Sequence, residues 1–459
     1  HRKKIEEITL EMIKLLKTRT DVARQIGDAK ASLGMTVTDE EREDALRTQV
    51  TKLCKEIDLD QSTALKFLNF LFNESVKVQS DNKQTHLSVF LKAKALEEEG
   101  KKIIHLEVGE PDFQPPKEVK TALEEVYDKG YGKYGPVKGI TELRKALASR
   151  ENCSEENIMI CPGARFAVYL AITTLLNPGD EIIVIEPAWP AYKDCALNAG
   201  IKVRTIKTTL ETKWEPSIDQ INNAINENTK MIILNYPNNP TGAKATREFY
   251  EEAIEFAKQN NIIIIQDAAY AALTYDGKSE SFLSIPGAMD VGVEFHSLSK
   301  AYNMTGWRIA FIVGNELIVK GLSHVKDNVD SGQFAGIQKA GIYALEHPDI
   351  TDRTVTKYKR RLSILVETLN SVGFNAKMPG GSFFLYVGAP KGIKGGRKFT
   401  NAEEFSQFLI SEMLISTVPW DDVGHYVRFS ATFAAKGEEE EIRIMKEIKT
   451  RLSTVEFEF

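Results

Sequence analysis

The spacing of hydrophobic residues divides the chain into two parts. Over the first thirty residues, apolar side chains recur every three or four positions, which predicts one long amphipathic helix from about Arg2 to Ala31. Farther along, short continuous apolar runs such as Met231–Leu234 and Ile262–Ile265 predict buried strands of a parallel sheet. The pattern therefore predicts an all-helical segment followed by an α/β fold.

The helical part extends over about the first eighty residues. It contains few glycines and no proline and is rich in Leu, Ile, Lys and Glu, which favours helices. Thr38–Glu41 reads as a capping box that begins a second helix, and a third helix ends within Asn73–Gln79. Arg19 lies seven residues from both Met12 and Ile26, inside the apolar stripe of the first helix. We expect this buried cation to meet an anion.

Polar clusters follow apolar, strand-like runs in the second part of the chain. Because the carboxyl ends of parallel strands meet at one edge of a sheet, such clusters predict one ligand crevice. A plain turn is the alternative for Asn239–Gly242, since Asn, Pro and Gly all form turns. The clusters are Asn235–Gly242, Asp267–Tyr270 and Ser297–Arg308.

Lys300 indicates the chemistry of this crevice. Its amine lies near a predicted strand end, is flanked by the hydroxyls of Ser297 and Ser299, and is followed eight residues later by Arg308. This arrangement suits a Schiff base to an aldehyde cofactor that also carries a phosphate, which is pyridoxal phosphate. An ordinary strand-to-loop turn with a solvated lysine is the alternative for this motif by itself.

In their order along the chain, these motifs resemble those of the fold type I, class I aminotransferases, the aspartate/aromatic aminotransferase family. The resemblance runs from about Thr85 to the C-terminus. It implies an aspartate-aminotransferase-like fold of class α/β, with a large domain at about residues 130–365 built on a mostly parallel sheet. A small α+β domain would combine about residues 87–120 with 366–459. It also implies pyridoxal 5′-phosphate as the cofactor and a homodimer with shared active sites.

The same resemblance assigns the cofactor contacts. Asp267 would bind the protonated pyridine nitrogen, and Asn239 and Tyr270 would hydrogen-bond the phenolate oxygen. Trp189 would stack on the pyridine ring, with a core tryptophan as the alternative. The phosphate contacts would be the backbone of Gly163, Ala164 and Arg165 at a helix N-terminus, the side chains of Ser297 and Arg308, and Tyr134, which would reach the phosphate of the neighbouring subunit.

Substrate contacts follow in the same way. Alternation places Arg428 on one face of the short strand Tyr426–Ser430, and it resembles the arginine that binds the substrate α-carboxylate in a bidentate pair. A surface-strand arginine is the alternative. Gly109 matches the glycine whose backbone approaches the same carboxylate. Lys300 would be the catalytic acid and base that moves the proton in a ping-pong reaction.

The helical part resembles the all-helical chorismate mutases, with a match at every polar position of that family's site. The matched residues are Arg2, Arg19, Lys30, Asp39, Arg42, Glu43, Ser75 and Gln79. The resemblance implies that the arginines bind the two carboxylates of chorismate and that Glu43 meets the ring hydroxyl. Lys30 and Gln79, the catalytic pair, would hydrogen-bond the ether oxygen whose bond breaks. The reaction is a pericyclic rearrangement, so the site need only hold a reactive conformation and stabilise developing charge.

Arg2 and Arg19 lie seventeen residues apart, which is about 25 Å along one helix. They cannot share a site within one chain, so Arg2 is expected to come from a partner protomer. The alternative for the whole segment is a helical dimerisation arm with scattered surface charge.

Length and composition agree with this partition. The 459 residues would divide into a mutase domain at 1–80, a linker at 81–86 and an aminotransferase at 87–459. A net charge of −6 gives no basic stripe for nucleic acid, and the seven histidines show no spacing for metal ligands. The four cysteines lack the spacing of a disulfide framework, and the sequence has no signal peptide and no apolar run long enough to cross a membrane. We therefore expect a cytoplasmic enzyme that acts on small molecules. Since the chain begins at His1, we expect a few native residues before it.

Three functions fit these observations. The first is a bifunctional enzyme that converts chorismate to prephenate and transaminates prephenate or the aromatic 2-oxo acid derived from it. The second is an aminotransferase of aspartate or LL-diaminopimelate type, whose sequences Asp327–Phe334 resembles. The third gives the helices only a regulatory or oligomerisation role. No motif identifies the pocket for the substrate side chain.

Lys391–Arg397 reads as a mobile surface loop.

Overall fold

The computed structural model describes residues 1–32, 40–80, 85–130 and 132–459. Its helices and strands alternate over most of the chain. The helices are α1 (Arg2–Ser32), α2 (Glu40–Ile57), α3 (Gln61–Ser80), α4 (Thr85–Glu98), α5 (Lys117–Asp128), α6 (Thr141–Glu151), α7 (Ala164–Leu175), α8 (Ala191–Asn198), α9 (Ile218–Ala224), α10 (Arg247–Asn260), α11 (Ala288–Val291), α12 (Leu298–Ala301), α13 (Glu316–Lys326), α14 (Ala335–Glu346), α15 (Asp349–Asn370), α16 (Ala402–Glu412) and α17 (Glu438–Leu452). The strands are β1 (Ile104–His105), β2 (Ile158–Cys161), β3 (Glu181–Glu186), β4 (Lys202–Lys207), β5 (Thr229–Asn235), β6 (Ile263–Asp267), β7 (Gly292–Ser297), β8 (Ala310–Gly314), β9 (Phe384–Gly388), β10 (Gly392–Ile393), β11 (Ile415–Ser416), β12 (Val418–Trp420), β13 (Tyr426–Ser430) and β14 (Phe457–Glu458).

Helices α1, α2 and α3 form the N-terminal module, in which α3 packs against both of the others. The predicted first helix is confirmed, since α1 runs from Arg2 to Ser32. The predicted capping box begins at Thr38 and Asp39, which lie outside the described residues. Helix α4 begins at Thr85, so the last two residues of the predicted linker are helical.

A seven-stranded sheet forms the centre of the large domain, in the order β2-β8-β7-β6-β5-β3-β4. Strands β3 to β7 are all parallel to one another, and β8 is antiparallel to both β2 and β7. Met231 and Ile233 on β5 enter one apolar core with residues of α7, α8 and α13, whereas Ile232 and Leu234 enter a second core with residues of α10. Both faces are therefore covered, which explains the continuous apolar runs in the sequence. The predicted mostly parallel sheet is confirmed.

The small domain surrounds a three-stranded antiparallel sheet, in the order β12-β13-β9. Strand β1, near the start of the aminotransferase part, pairs with β11, so distant parts of the chain meet here. The expectation of a mobile loop at Lys391–Arg397 was wrong for Gly392 and Ile393. These two residues form β10, which pairs with β14 at the C-terminus of the chain.

Polar contacts connect the helical module to the large domain. The Asn69 side chain is buried, and its Nδ2 donates to the carbonyl oxygen of Gly200 at 3.2 Å. Asp44 on α2 forms an ion pair with Lys202 on β4. Arg47 donates to Oδ1 of Asn69, so α2 and α3 reach the large domain together. Within the described ranges, no helix is both long and apolar enough to cross a membrane.

Candidate active sites

The carboxyl ends of β5, β6 and β7 bring the polar clusters of the sequence together. Asn235 on β5 is in register with Asp267 on β6, and its Nδ2 donates to the carbonyl oxygen of Asp267 at 2.9 Å. The side-chain oxygen of Asn235 accepts the backbone N–H of Asn239 at 2.9 Å. Strand register therefore places the clusters that follow β5 and β6 side by side at the carboxyl edge of the sheet.

Lys300 lies on the short helix α12, immediately beyond β7. The hydroxyl of Ser297 caps this helix by accepting the backbone N–H of Ser299 at 3.1 Å. The Lys300 amine donates to the carbonyl oxygen of Gly109 at 2.6 Å. Burial lowers the pKa of this amine to about 8, against the opposing negative charge of Glu110. A lysine with this pKa is partly neutral near physiological pH, as a nucleophile and proton carrier must be.

Asp267 is fully enclosed at the bottom of the crevice. The Tyr192 hydroxyl donates to one carboxylate oxygen at 2.7 Å, and the backbone N–H of Ala269 donates to the other at 3.1 Å. Burial raises the pKa of Asp267, and the hydrogen bond from Tyr192 opposes that shift. A buried carboxylate in this state favours a cationic partner, and a protonated pyridine nitrogen supplies one.

Gly163 and Arg308 lie together beside the N-terminus of α7. Gly163 has φ 96°, and a Cβ at this position would lie 2.1 Å from Nη2 of Arg308. Only glycine therefore leaves room for the guanidinium beside the N-terminus of α7, which begins at Ala164. Arg308 is held by the carbonyl oxygens of Thr305 at 2.8 Å and Pro162 at 3.3 Å. A helix N-terminus with an adjacent arginine is an anion site, which fits a phosphate.

Trp189 is partly buried and packs against the apolar core between β5 and helices α7, α8 and α13. Its ring meets that of Tyr192 edge-on, with the centroids 5.4 Å apart. The Arg165 guanidinium lies 4.9 Å from the centroid of the Trp189 ring, a cation–π contact of the Arg165 side chain that the sequence did not indicate. Tyr134 is 89 % exposed, and its contact with a neighbouring subunit stays a prediction.

Arg428 projects from β13 and is 8 % exposed, which excludes the surface-strand alternative. Its Nη1 donates to Oδ1 of Asn239 at 2.8 Å and its Nη2 to the carbonyl oxygen of Glu107 at 3.0 Å. The guanidinium stacks 3.9 Å from the ring of Phe384. Burial lowers the pKa of Arg428 to about 10, against the opposing influence of Tyr270. Its buried Nε has no hydrogen-bond partner among the described residues.

Tyr270 and Asn239 both interact with Arg428. Tyr270 is buried, and burial raises its pKa while the charge of Arg428 opposes the shift. Asn239 uses its amide oxygen on Arg428, so its amide nitrogen is the group that can donate to a phenolate oxygen. Gly109 lies across from them, and a Cβ there would meet Phe384 at 3.7 Å.

In the helical module, Arg19 and Ser75 lie together although 56 residues separate them. Nη1 of Arg19 donates to the Ser75 hydroxyl and to the carbonyl oxygen of Leu71. The expectation that Arg19 meets an anion is not met within the described residues, where these two partners are neutral oxygens. Burial lowers the pKa of Arg19, which is the effect expected of a partly desolvated cation.

The other predicted mutase residues are distributed around the same module. Lys30 and Glu43 are half-buried, whereas Arg2 and Arg42 are exposed. Asp39 lies outside the described residues. Gln79 is on α3, but its side chain is outside the described part.

Two protein-family models match the chain. Residues 101–447 match aminotransferase class I and II, and residues 1–80 match chorismate mutase type II. The chain belongs to the class I and II aminotransferase family and carries a chorismate mutase domain ahead of it. Both domains are enzymes, and the aminotransferase family depends on pyridoxal phosphate.

Similar proteins narrow the comparison to particular aminotransferases. The LL-diaminopimelate aminotransferase of Methanococcus maripaludis is 47 % identical over 413 residues, which cover 86 % of this chain and 99 % of that protein. Transaminase BacF of Bacillus subtilis is 32 % identical over 81 % of this chain and 93 % of its own length. Its substrate-bound structure has a TM-score of 0.75, with 31 % identity over 82 % of this chain and 96 % of that one. The aspartate aminotransferase of Thermotoga maritima has a TM-score of 0.74, with 29 % identity over 81 % and 97 %.

Sequence reasoning missed several residues that complete the site. Tyr192 hydrogen-bonds Asp267 across 75 residues of sequence, and the carbonyl of Glu107 holds Arg428 across 321. The only local signal for Tyr192 was its position three residues after Trp189, one helical turn away.

Proposed function

We propose that the chain is a bifunctional enzyme of phenylalanine and tyrosine biosynthesis. Its helical domain rearranges chorismate to prephenate, and its aminotransferase domain transaminates prephenate or the aromatic 2-oxo acid derived from it. The observation that carries this proposal is the fusion of the two family domains in one chain. Prephenate carries a 2-oxo acid group, which is the group that an aminotransferase accepts, so the product of one domain suits the chemistry of the other.

The mutase role rests first on Arg19. This cation is partly desolvated and bonded to the neutral oxygens of Leu71 and Ser75, so a carboxylate of chorismate would relieve its unbalanced charge. Lys30 and Gln79 would stabilise the charge that develops on the ether oxygen during rearrangement. Asp39, Arg42 and Glu43 complete the proposed site.

A second copy of the chain would supply Arg2. One face of α1 exposes apolar side chains over most of its length, and burying such a stripe drives helices together. The exposed residues of this face are Ile5, Ile8, Met12, Leu15, Val22 and Ile26. We infer a homodimer in which each mutase site takes Arg2 from the opposite protomer, and in which Tyr134 reaches the phosphate of the neighbouring aminotransferase site.

The aminotransferase residues fit pyridoxal phosphate. Gly163, the N-terminus of α7 and Arg308 suit its phosphate, Asp267 suits its pyridine nitrogen, and Asn239 with Tyr270 suits its phenolate oxygen. Bound pyridoxal phosphate supplies the aldehyde and the electron sink that protein side chains lack.

The chain itself contributes binding, orientation and proton transfer. Arg428 binds the substrate α-carboxylate through the N–H groups of its guanidinium that Asn239 and Glu107 do not use, in a plane fixed by these two residues and Phe384. Lys300 then moves a proton to and from the substrate α-carbon, because its pKa of about 8 suits both directions near neutral pH.

A panel of amino acceptors tests the proposed specificity. Prephenate, phenylpyruvate, 4-hydroxyphenylpyruvate and oxaloacetate are compared with glutamate as the common donor. The proposal expects kcat/KM for prephenate or an aromatic acid to exceed that for oxaloacetate at least tenfold. A preference for oxaloacetate would remove the aromatic assignment and leave the mutase assignment in place.

LL-diaminopimelate is the second candidate substrate, and the names of the similar aminotransferases favour it. A cleft of about 470 Å³ is lined by Glu110, Phe113, Asn303 and Trp307 among others, and Glu110 directly follows Gly109 in the chain, so this cleft is a candidate place for a substrate side chain. A carboxylate would pair with the distal ammonium of diaminopimelate. Transamination of LL-diaminopimelate with 2-oxoglutarate is therefore measured beside the acceptor panel, with Glu110→Gln as the matched variant. Selective loss of diaminopimelate turnover in that variant would support this candidate.

A further inference from the structure

A buried charge network lies behind the proposed substrate site, centred on Arg361 of α15. Arg361 is 0 % exposed and forms a bidentate pair with Asp112, with Nη1 and Nη2 at 3.0 and 3.1 Å from the two carboxylate oxygens. Its Nε donates to Glu441 of α17 at 2.8 Å. The side chains of Asp112 and Glu441 are 6 % and 1 % exposed. Charges this deeply buried persist only when fully paired.

Both Arg361 and Asp112 make further hydrogen bonds. Nη1 of Arg361 also donates to the carbonyl oxygens of Ala431 at 3.0 Å and Phe433 at 2.8 Å. Asp112 accepts further hydrogen bonds from Lys357 at 3.1 Å and from the hydroxyl of Tyr358 at 3.2 Å. The Arg361 side chain therefore ties the backbone after β13 to the segment that contains Asp112.

These two segments carry the groups proposed to bind the α-carboxylate. Asp112 lies three residues after Gly109, and Ala431 lies three residues after Arg428. The segments run side by side and are joined by two more hydrogen bonds. The Ser430 N–H donates to the carbonyl oxygen of Leu106 at 2.7 Å, and the Thr432 hydroxyl donates to that of Val108 at 2.8 Å.

We propose that Asp112 and Arg361 are positioning residues that set the spacing between the Gly109 backbone and the Arg428 guanidinium. The inference rests on the proposed role of Arg428 in binding the α-carboxylate. A substrate carboxylate held between two groups is sensitive to their separation, and a misplacement of about 1 Å costs on the order of 100-fold in rate. Neither Asp112 nor Arg361 needs to touch the substrate.

Asp112→Asn tests the inference, since it keeps the shape of the side chain and removes its charge. In the holoenzyme we expect KM for glutamate and for the 2-oxo acid to rise about tenfold or more, with a smaller change in kcat. Affinity for pyridoxal phosphate and chorismate mutase turnover should stay unchanged. A purely structural role would instead lower Tm and cofactor affinity and leave KM as it was, and that outcome would overturn the inference.

Arg360→Gln is the matched control. Arg360 is the neighbouring arginine on α15 and binds the same Glu441 at 2.9 and 3.0 Å, but its other ion pair is with the exposed Glu438. We expect KM to change by less than about twofold, because none of these bonds reaches the carboxylate-binding segments. If KM in Arg360→Gln rose as much as in Asp112→Asn, the loss of any ion pair around Glu441 would have the same effect, and the inference would be overturned.

Two further variants keep the test decisive. If Asp112→Asn does not fold, Arg361→Lys retains the buried charge while losing the bidentate fork, and its KM should rise in the same way. Arg428→Lys is measured in parallel. A KM raised in Arg428→Lys but normal in both network variants would overturn the positioning role alone. A normal KM in Arg428→Lys would remove the carboxylate assignment on which the inference rests.

Discussion

Arg428→Lys tests how the substrate carboxylate is held. In the native protein, Asn239 and the carbonyl of Glu107 accept from Nη1 and Nη2 at 2.8 and 3.0 Å, and the Phe384 ring lies 3.9 Å away. These contacts fix the plane of the guanidinium and leave Nε without a partner in the described chain. Lysine keeps the positive charge but has no planar fork, so it cannot satisfy both Asn239 and a bidentate carboxylate.

The loss amounts to about one charge-assisted hydrogen bond, or about 1.5–3 kcal/mol. We therefore expect kcat/KM for any α-amino acid to fall about 10- to 150-fold, measured by steady-state kinetics with a fixed 2-oxo acid. Because the helical site uses other residues, mutase turnover of the same preparation is the internal control. An unchanged kcat/KM in a folded, cofactor-loaded variant would show that Arg428 does not hold the α-carboxylate.

The other predictions concern the cofactor and the second site. Lys300→Ala should abolish transamination and the absorbance of lysine-bound cofactor while mutase turnover stays near wild type; loss of both activities in folded protein would contradict separate sites. Lys300 is protonated and unreactive below its pKa, so uptake of pyridoxal phosphate by cofactor-free protein should rise with pH, with a midpoint of about 8; a midpoint near 10.5 would contradict the lowered pKa. Gly163→Ala should weaken cofactor binding about tenfold or more, because the new Cβ displaces Arg308, whereas Gly179→Ala, with a similar φ and nothing within 4 Å, should not. Arg2→Ala and Lys30→Ala should each lack mutase activity, and mixing them should restore up to about a quarter of it through heterodimers with one intact site; no recovery after verified subunit exchange would place Arg2 outside a shared site.

The sequence predicts those parts of the fold that depend on local pattern. The runs that became β5 and β6 are apolar on both faces, and β7 buries Val293 and Phe295 on one face. A residue that follows such a strand in a parallel sheet must lie at the carboxyl edge of the sheet. This is why Asp267 and Lys300 could be placed in one crevice before their contacts were known. Helix α1 was equally predictable, since apolar residues recur at helical spacing over about seven turns before the first glycine, Gly27.

Contacts between distant segments were not predictable in this way. Asp112 and Arg361 are 249 residues apart, and each would read from its own neighbourhood as an ordinary surface charge. Their burial follows from the packing of α15 against the segment that begins at β1, which no periodicity encodes. The strand β10 escaped prediction for a similar reason. Its glycine-rich sequence favours a loop, and only pairing with the C-terminal β14 makes it a strand.

Two polar contacts between the modules allow the strength of the connection to be estimated from the described residues. Asp44 is more than half exposed in its ion pair with Lys202, and an exposed pair contributes about 0–1 kcal/mol. The buried hydrogen bond from Asn69 to Gly200 adds about 0.5–1.5 kcal/mol. Together these two contacts contribute about 0.5–2.5 kcal/mol, which is the size of a typical coupling between two sites. Lys300→Ala therefore also tests whether the sites are coupled, since uncoupled sites leave mutase turnover unchanged when the aminotransferase site is disabled.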